Sequence, residues 1–186
     1  MMNAIEAARR IGQCLDEDGI PYAIGGALAL GVWGVPRATK DVDLSVFVTR
    51  DELPRVLDSL ERAGVMLSRE QAVRDVARIG LAKGRLGNVV VDLFLSEHPQ
   101  YTEMGRRSRR IVDPTGWNAS FISPEDLCIH KLVFGRHKDL GDLENLLAVR
   151  PDLDLGYVRH WLVQMVPPGD PRFAALDDLE RRFARR

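Results

Sequence analysis

Asp41 and Asp43 stand two residues apart in a run, Asp41 to Val48, that alternates acidic or polar residues with apolar ones. Alternation of period two reads as a β-strand, and side chains two apart on a strand share a face about 7 Å along the chain. Val42, Leu44, Val46 and Val48 therefore face one way, and Asp41, Asp43 and Ser45 the other. Carboxylates this close repel unless something positive sits between them, and a divalent cation is the usual remedy. Gly25-Gly26 precedes the strand and follows a short apolar run, Pro21 to Ile24. A glycine pair there lets the backbone turn and approach a ligand closely. A further acid, Asp92, interrupts the run VVVDLF, in which Val89, Val91, Leu93 and Leu95 form the apolar face. An acid in such a strand is costly unless a charged partner or a metal meets it. The plainer alternative is an edge-strand Asp facing water.

Cationic candidates lie further on. Ser123-Pro124-Glu125-Asp126 starts a helix with Ser as N-cap, Pro in the first turn and acids at the positive end of the dipole. In that helix, which runs to about Phe134, Lys131 falls one turn beyond Leu127 and Cys128 on an inward stripe. A lysine there needs an anionic partner, and a bound triphosphate would serve. The next helix, Lys138 to Val149, places Asp139 and Asp142 on one stripe with Leu143 and Leu146, which points to a polar network at core positions. Lys138 and Asp142, one turn apart, are spaced to pair. Read alone, these two helices are an ordinary salt-bridged pair. The dense basic cluster Arg106 to Arg110 reads either as a solvated linker or as a phosphate-binding patch for an RNA acceptor.

The elements that must position these residues follow from periodicity and breakers. Asn3 to Asp18 reads as an amphipathic helix, stopped by Asp18-Gly19, and Ile20 to Ile24 as the first strand. Ala27 to Trp33 is apolar and helical, ended by Gly34-Val35-Pro36. Thr49-x-x-Glu52 is a capping box opening a helix to about Ala63, which Gly64 ends. A short strand is expected around Val65 to Leu67. Val76 to Lys83 and Asn88 to Leu95 read as a β-hairpin around Gly84 to Gly87. Glu97 to Met104 reads as a short helix. Arg110 to Val112 and Ala119 to Ile122 read as strands around the turn Asp113-Pro114-Thr115-Gly116. Asp154 to Val166 and Pro171 to Arg185 are expected to be helical, the basic ending RRFARR being a solvated face.

Composition narrows the class. The chain has 186 residues, 45% hydrophobic and 28% charged, with a formal net charge of −1. That suits a globular protein with a real core and advertises no global attraction to nucleic acid. Cys14 and Cys128 have no metal-ligand spacing and read as reduced thiols. The amino terminus lacks a signal-peptide pattern and no run reaches the length of a membrane span, so a cytoplasmic protein without membrane contact is expected. The absence of a GxxxxGKS/T loop argues against a P-loop enzyme, and the absence of HExxH or CxxC argues against a zinc enzyme. His98, His130, His137 and His160 follow no ligand or triad pattern and read as structural or surface residues.

Gly25-Gly26 followed by Arg37-x-Thr39-x-Asp41-x-Asp43 resembles the signature of the polymerase-β-like nucleotidyltransferases, most nearly the minimal bacterial type that includes the toxin of the AbiE abortive-infection system. SPEDLCIHKLVFGRHKDLGDLENL resembles the C-terminal motifs of that type, so the resemblance covers about residues 20 to 149. It implies an α/β (α+β) fold, a mixed twisted sheet flanked by helices, with a catalytic core over 1–122 and a helical portion over 123–186 packing on the active site. It implies that Asp41, Asp43 and Asp92 bind magnesium, with two metal ions, and that Asp92 binds the second ion or accepts the acceptor's proton. Gly25, Gly26, Arg37, Thr39, Lys131, Arg136 and Lys138 would contact the nucleotide, and Asp139 and Asp142 would orient the lysines or Arg136. The implied activity is transfer of NMP from an NTP such as ATP to a hydroxyl of an RNA end or a protein, as the toxin of a toxin–antitoxin pair with a separate antitoxin. The competing readings are transfer to a small antibiotic, and an inactive nucleotide-binding or interaction protein on the same scaffold.

Overall fold

The strands form where valine, leucine and isoleucine recur at alternate positions: β1 (Tyr22–Ile24), β2 (Asp41–Val46), β3 (Leu81–Leu86), β4 (Val89–Phe94), β5 (Arg109–Val112) and β6 (Asn118–Phe121). In the computed structural model, which describes residues 2–183, they make one six-stranded sheet in the order β3-β4-β2-β1-β6-β5. β2 runs parallel to β4 and antiparallel to β1, and β1 runs parallel to β6. The edges, β3 and β5, are antiparallel hairpin partners of β4 and β6. The helices are α1 (Ala4–Glu17), α2 (Gly26–Trp33), α3 (Leu53–Arg62), α4 (Arg69–Ile79), α5 (Pro99–Arg107), α6 (Pro124–Phe134), α7 (His137–Val149), α8 (Leu155–Met165) and α9 (Pro171–Phe183). The mixed α/β architecture expected from the sequence is the one found.

Contacts divide the chain into two compact units, one from Met1–Leu28 and Ala38–Ile122, the other from Ala29–Arg37 and Ser123–Arg186. The first holds the whole sheet. Val42, Leu44 and Val46 of β2 and Val89, Val91 and Leu93 of β4 are all buried. Helix α1 packs on β1, β2 and α3, contributing buried Ile11 and Leu15, while α3 contributes Val56, Leu57 and Leu60. Burying each such side chain is worth roughly 1.5–3 kcal/mol, which fixes the apolar face inward and leaves Asp41, Asp43 and Asp92 on the opposite face. α1 is opened by a capping box between Asn3 and Glu6, and the Thr49–Glu52 box opens a 3-10 turn that leads into α3.

The second unit is centred on α6, which packs against α7, α8 and α9 and is buried on nearly every side. Ser123 accepts the Asp126 N–H at 3.1 Å, as its N-cap role requires, and Gly135, at φ +59°, ends the helix. Among the described residues no helix is long and apolar enough to cross a membrane.

The stretch 65–87 departs from expectation. Val65 to Leu67 contributes only a single bridge, Met66 to Arg85, and the residues expected to start the hairpin belong to α4 as far as Ile79. Ser68 caps that helix and Gly80, at φ +68°, stops it. Only Ala72 and Val76 of α4 are buried, so its apolar stripe is too thin for helical periodicity to stand out. The hairpin turns at Gly87-Asn88, not at Gly84 to Gly87, and Gly84 lies within β3. A Cβ at residue 84 would stand 2.7 Å from Val65 Cγ1, so glycine there admits the crossing segment. β2 ends at Val46, short of Val48. Ala184, Arg185 and Arg186 of the RRFARR ending lie outside the described residues.

Candidate active site

Strand pairing gathers the sheet unit's candidate residues into a row. Asp43 of β2 is paired with Asp92 of β4 in parallel register, and Asp92 is paired with Lys83 of β3 in antiparallel register. Directly paired residues share a face about 4.8 Å apart, and Asp41 lies on the same face two residues before Asp43. On the other side of Asp43, the Gly25 N–H donates to the Asp43 carbonyl oxygen at 2.8 Å. Gly26 follows at φ +56°, and a Cβ placed there would fall 1.8 Å from Asp43 Oδ2. Residue 26 is thus glycine for two reasons, a left-handed backbone and a carboxylate lying where a side chain would be.

The Gly25 N–H is therefore spent inside the sheet and is not offered to a ligand. The donors that remain at this turn belong to α2, which begins at Gly26. First-turn N–H groups of a helix lack intrahelical partners and attract anions. Thr39 sets the start of β2 by accepting the Asp41 N–H at 3.1 Å through its hydroxyl. Lys83 Nζ reaches Asp92 Oδ1 at 2.6 Å, the lysine side chain 64% exposed and the aspartate 19%. Lys83 was missed in the sequence because its strand was placed one turn early; the cross-strand arithmetic that reveals it needs the correct hairpin turn.

Among the described residues no three His, Cys, Asp or Glu side chains converge as a metal centre. Mg²⁺ asks for less, usually one or two carboxylates plus substrate phosphates and water. Asp41 and Asp43 on one face, beside a helix N-terminus able to receive phosphate, meet that requirement. A cleft of about 230 Å³ lined by Ser68, Gln71, Asp75, Arg78 and Lys83 opens beside the row. A larger one, about 570 Å³, lined by Phe47, Thr49, Glu52, Glu97 and Tyr101 among others, lies past the opposite ends of β2 and β4 and takes in none of the row's residues. The Arg106–Arg110 cluster forms no single patch. Arg106 pairs with Glu103, Arg110 is held by Asp16 at 2.6 Å, and consecutive residues of β5 point to opposite faces.

In the helical unit, the other candidates meet one another. Arg37 grips both oxygens of Asp142, through Nε at 2.9 and 3.1 Å and through its terminal nitrogen at 3.0 Å. Lys131 Nζ lies 2.5 Å from Asp142 Oδ2 and 3.6 Å from Asp139 Oδ1, with Lys131 only 4% exposed. Asp139 also receives the Arg136 guanidinium at 2.7 Å and the Arg136 N–H at 3.2 Å. Burial alone would raise the Asp142 carboxyl, but hydrogen bonds from Arg37 and Lys131 outweigh it and hold it below the usual range. Arg136 keeps its side chain half exposed, and Lys138 is exposed. Burial pushes His130, on α6, down to about 4, while His98 accepts the Gln100 N–H as the N-cap of α5.

This fold is that of nucleotidyltransferases. The chain superposes on the antibiotic-resistance factor ANT(2'')-Ia with a TM-score of 0.60 at 15% identity, covering 97% of this chain and 100% of that one. A nucleotidyltransferase-like protein from Paracoccidioides brasiliensis is similar at TM-score 0.52 and 16% identity, covering 97% and 90%. A putative nucleotidyltransferase from Thermotoga maritima is similar at TM-score 0.52 and 14% identity, covering 88% and 96%. No protein-family model and no curated protein sequence matches the chain.

Proposed function

We propose that the chain is a Mg²⁺-dependent nucleotidyltransferase that moves a nucleoside monophosphate from an NTP such as ATP to a hydroxyl of an RNA end or a protein. A cytoplasmic role as the toxin of a toxin–antitoxin pair belongs to the same reading. The observation that carries it is the interlock of Gly26 and Asp43, which sets a carboxylate against a glycine turn at a helix N-terminus. Phosphate and a divalent cation are the ligands that such a pairing of donors and acid suits together.

Asp41 and Asp43 would hold the metal, which when bound supplies positive charge against the triphosphate and polarises its oxygens. First-turn N–H groups of α2 would receive phosphate oxygens, with Thr39 fixing the start of the strand that carries both acids. Arg136 and Lys138, expected from the sequence to meet the nucleotide, belong to the helical unit, where Arg136 is half exposed and Lys138 exposed. Lys131, Asp139 and Asp142 would act by holding Arg37 and Arg136. Asp92 would accept the proton of the attacking hydroxyl. The acceptor oxygen bonds to the α-phosphorus as the bond to the bridging oxygen breaks, and pyrophosphate leaves with that electron pair.

The test is label transfer. The protein is incubated with Mg²⁺ and each α-labelled NTP, with and without total RNA, beside Asp43→Asn. Label on RNA or protein that vanishes in the variant is the expected result. No label on either, with every NTP, overturns the proposal.

A further inference from the structure

Two features of the carboxylate row pull it apart. Asp43 leans toward β1, its Oδ2 occupying the place where a Cβ of Gly26 would stand. Asp92 is drawn the other way, to the β3 edge, where Lys83 holds its Oδ1 at 2.6 Å. In a two-metal site the ions sit about 3.5–4 Å apart and share ligands between them. Here one oxygen of Asp43 lies against the glycine turn and one oxygen of Asp92 is taken by the Lys83 cation already beside it. The absence of any three-ligand convergence among the described residues agrees with this.

We infer that the site takes one divalent ion, on Asp41 and Asp43, and that the Lys83 ammonium stands where the second ion of a two-metal centre would be. The inference rests on the nucleotidyltransferase reading and refines it. Lys83 is placed for this by the fold and not by chance contact. It lies directly opposite Asp92 in the β3–β4 register, and Met66 pairs with Arg85 on the outer side of the same strand. That pairing pins the edge on both sides. An ammonium offers one charge and three directed N–H donors with no demand for octahedral coordination, whereas Mg²⁺ gives up its water reluctantly for a single carboxylate. Lys83 is therefore a positioning residue. It presents Asp92 Oδ2 to the acceptor hydroxyl while keeping Oδ1 occupied, so the carboxylate serves as proton acceptor and not as a metal ligand.

The experiment counts metal directly. Mn²⁺, a paramagnetic substitute for Mg²⁺, is titrated into the full chain with each α,β-methylene nucleotide, and bound ion is measured by electron paramagnetic resonance. The native chain and Lys83→Arg are expected to bind one Mn²⁺, Asp43→Asn none, and Lys83→Met two. Because Lys83 is 64% exposed, its replacement leaves the fold intact, which circular dichroism verifies. Two ions in the native chain, one of them lost in Asp92→Asn, overturn the inference while leaving the nucleotidyltransferase reading standing. An unchanged count in Lys83→Met also overturns it. No bound Mn²⁺ with any nucleotide overturns the underlying reading, and the inference with it.

Discussion

The two units handle charge in opposite ways. In the sheet unit, Asp41, Asp43, Asp92 and Lys83 stand on the face of the sheet away from the core, partly exposed. In the helical unit, Lys131, Asp139 and Asp142 are almost fully removed from water. Acids set side by side repel one another and gain by meeting a cation, as Asp92 does at Lys83. Buried acids and bases satisfy one another, and their arrangement serves geometry: Asp142 holds Arg37 and Lys131, and Asp139 holds Arg136. The same residue types thus stand as candidates for binding in one place and as support in the other, and burial separates the two.

The comparison breaks most visibly at Asp142. Asp142→Ala takes the nearest carboxylate from buried Lys131, which keeps only Asp139 at 3.6 Å, and removes the two-oxygen grip of Arg37; it is expected to destabilise by about 3 kcal/mol, read by chemical denaturation. A loss below about 1 kcal/mol would mean that the network is effectively solvated. Asp43→Asn is expected to do the reverse, lowering transfer by about 10²–10³-fold while leaving the denaturation midpoint unchanged or raised. A large stability loss there would erase the distinction between the units. Gly26→Ala combines a strained backbone with a collision against Asp43 and should cost about 2 kcal/mol along with the activity.

Acid sharpens the contrast. His130 has its folded pKa depressed to about 4, so the unfolded chain binds the proton more readily. Its contribution is fully present above the unfolded value of about 6.5 and is lost as pH falls toward 4, about 2 kcal/mol between pH 7 and 5. Asp142, also depressed, loses its contribution as pH drops below the ordinary carboxylate range. His130→Phe should flatten the decline between pH 6.5 and 5, and an unaltered decline in thermal melts would place its origin elsewhere. The smallest effect is expected at Lys83. Lys83→Met removes a pair whose lysine is largely exposed, though its aspartate is not, and should change stability by less than about 1 kcal/mol, in contrast to its effect on metal count.

Much of the candidate site was legible before the fold was known, because the features concerned are local. Alternation around Asp41 and Asp43 needs only period two, and the N-cap at Ser123 and the glycine pair are signals spanning a few residues. The stretch 65–87 was not legible, since α4 buries only Ala72 and Val76 and its last turn carries the β-branched Val76 and Ile79 that strands favour. The misplaced hairpin concealed Lys83. Lys131 was recognised as a cation in need of an anion, but that its anion, Asp142, also takes Arg37 is decided by tertiary packing.

By itself, then, the sequence determined the strand faces, the helix caps and the identity of the acids that share a face, all consequences of periodicity and short-range hydrogen bonding, while the α/β class came through the resemblance of its motifs. Tertiary structure alone decided which acids meet which cations. Register set Lys83 opposite Asp92, the glycine turn drew Asp43 toward β1, and helix packing closed Asp142 over Arg37 and Lys131. Charge pairing acts over a few ångströms in space regardless of separation along the chain, so it is settled only when the chain has folded.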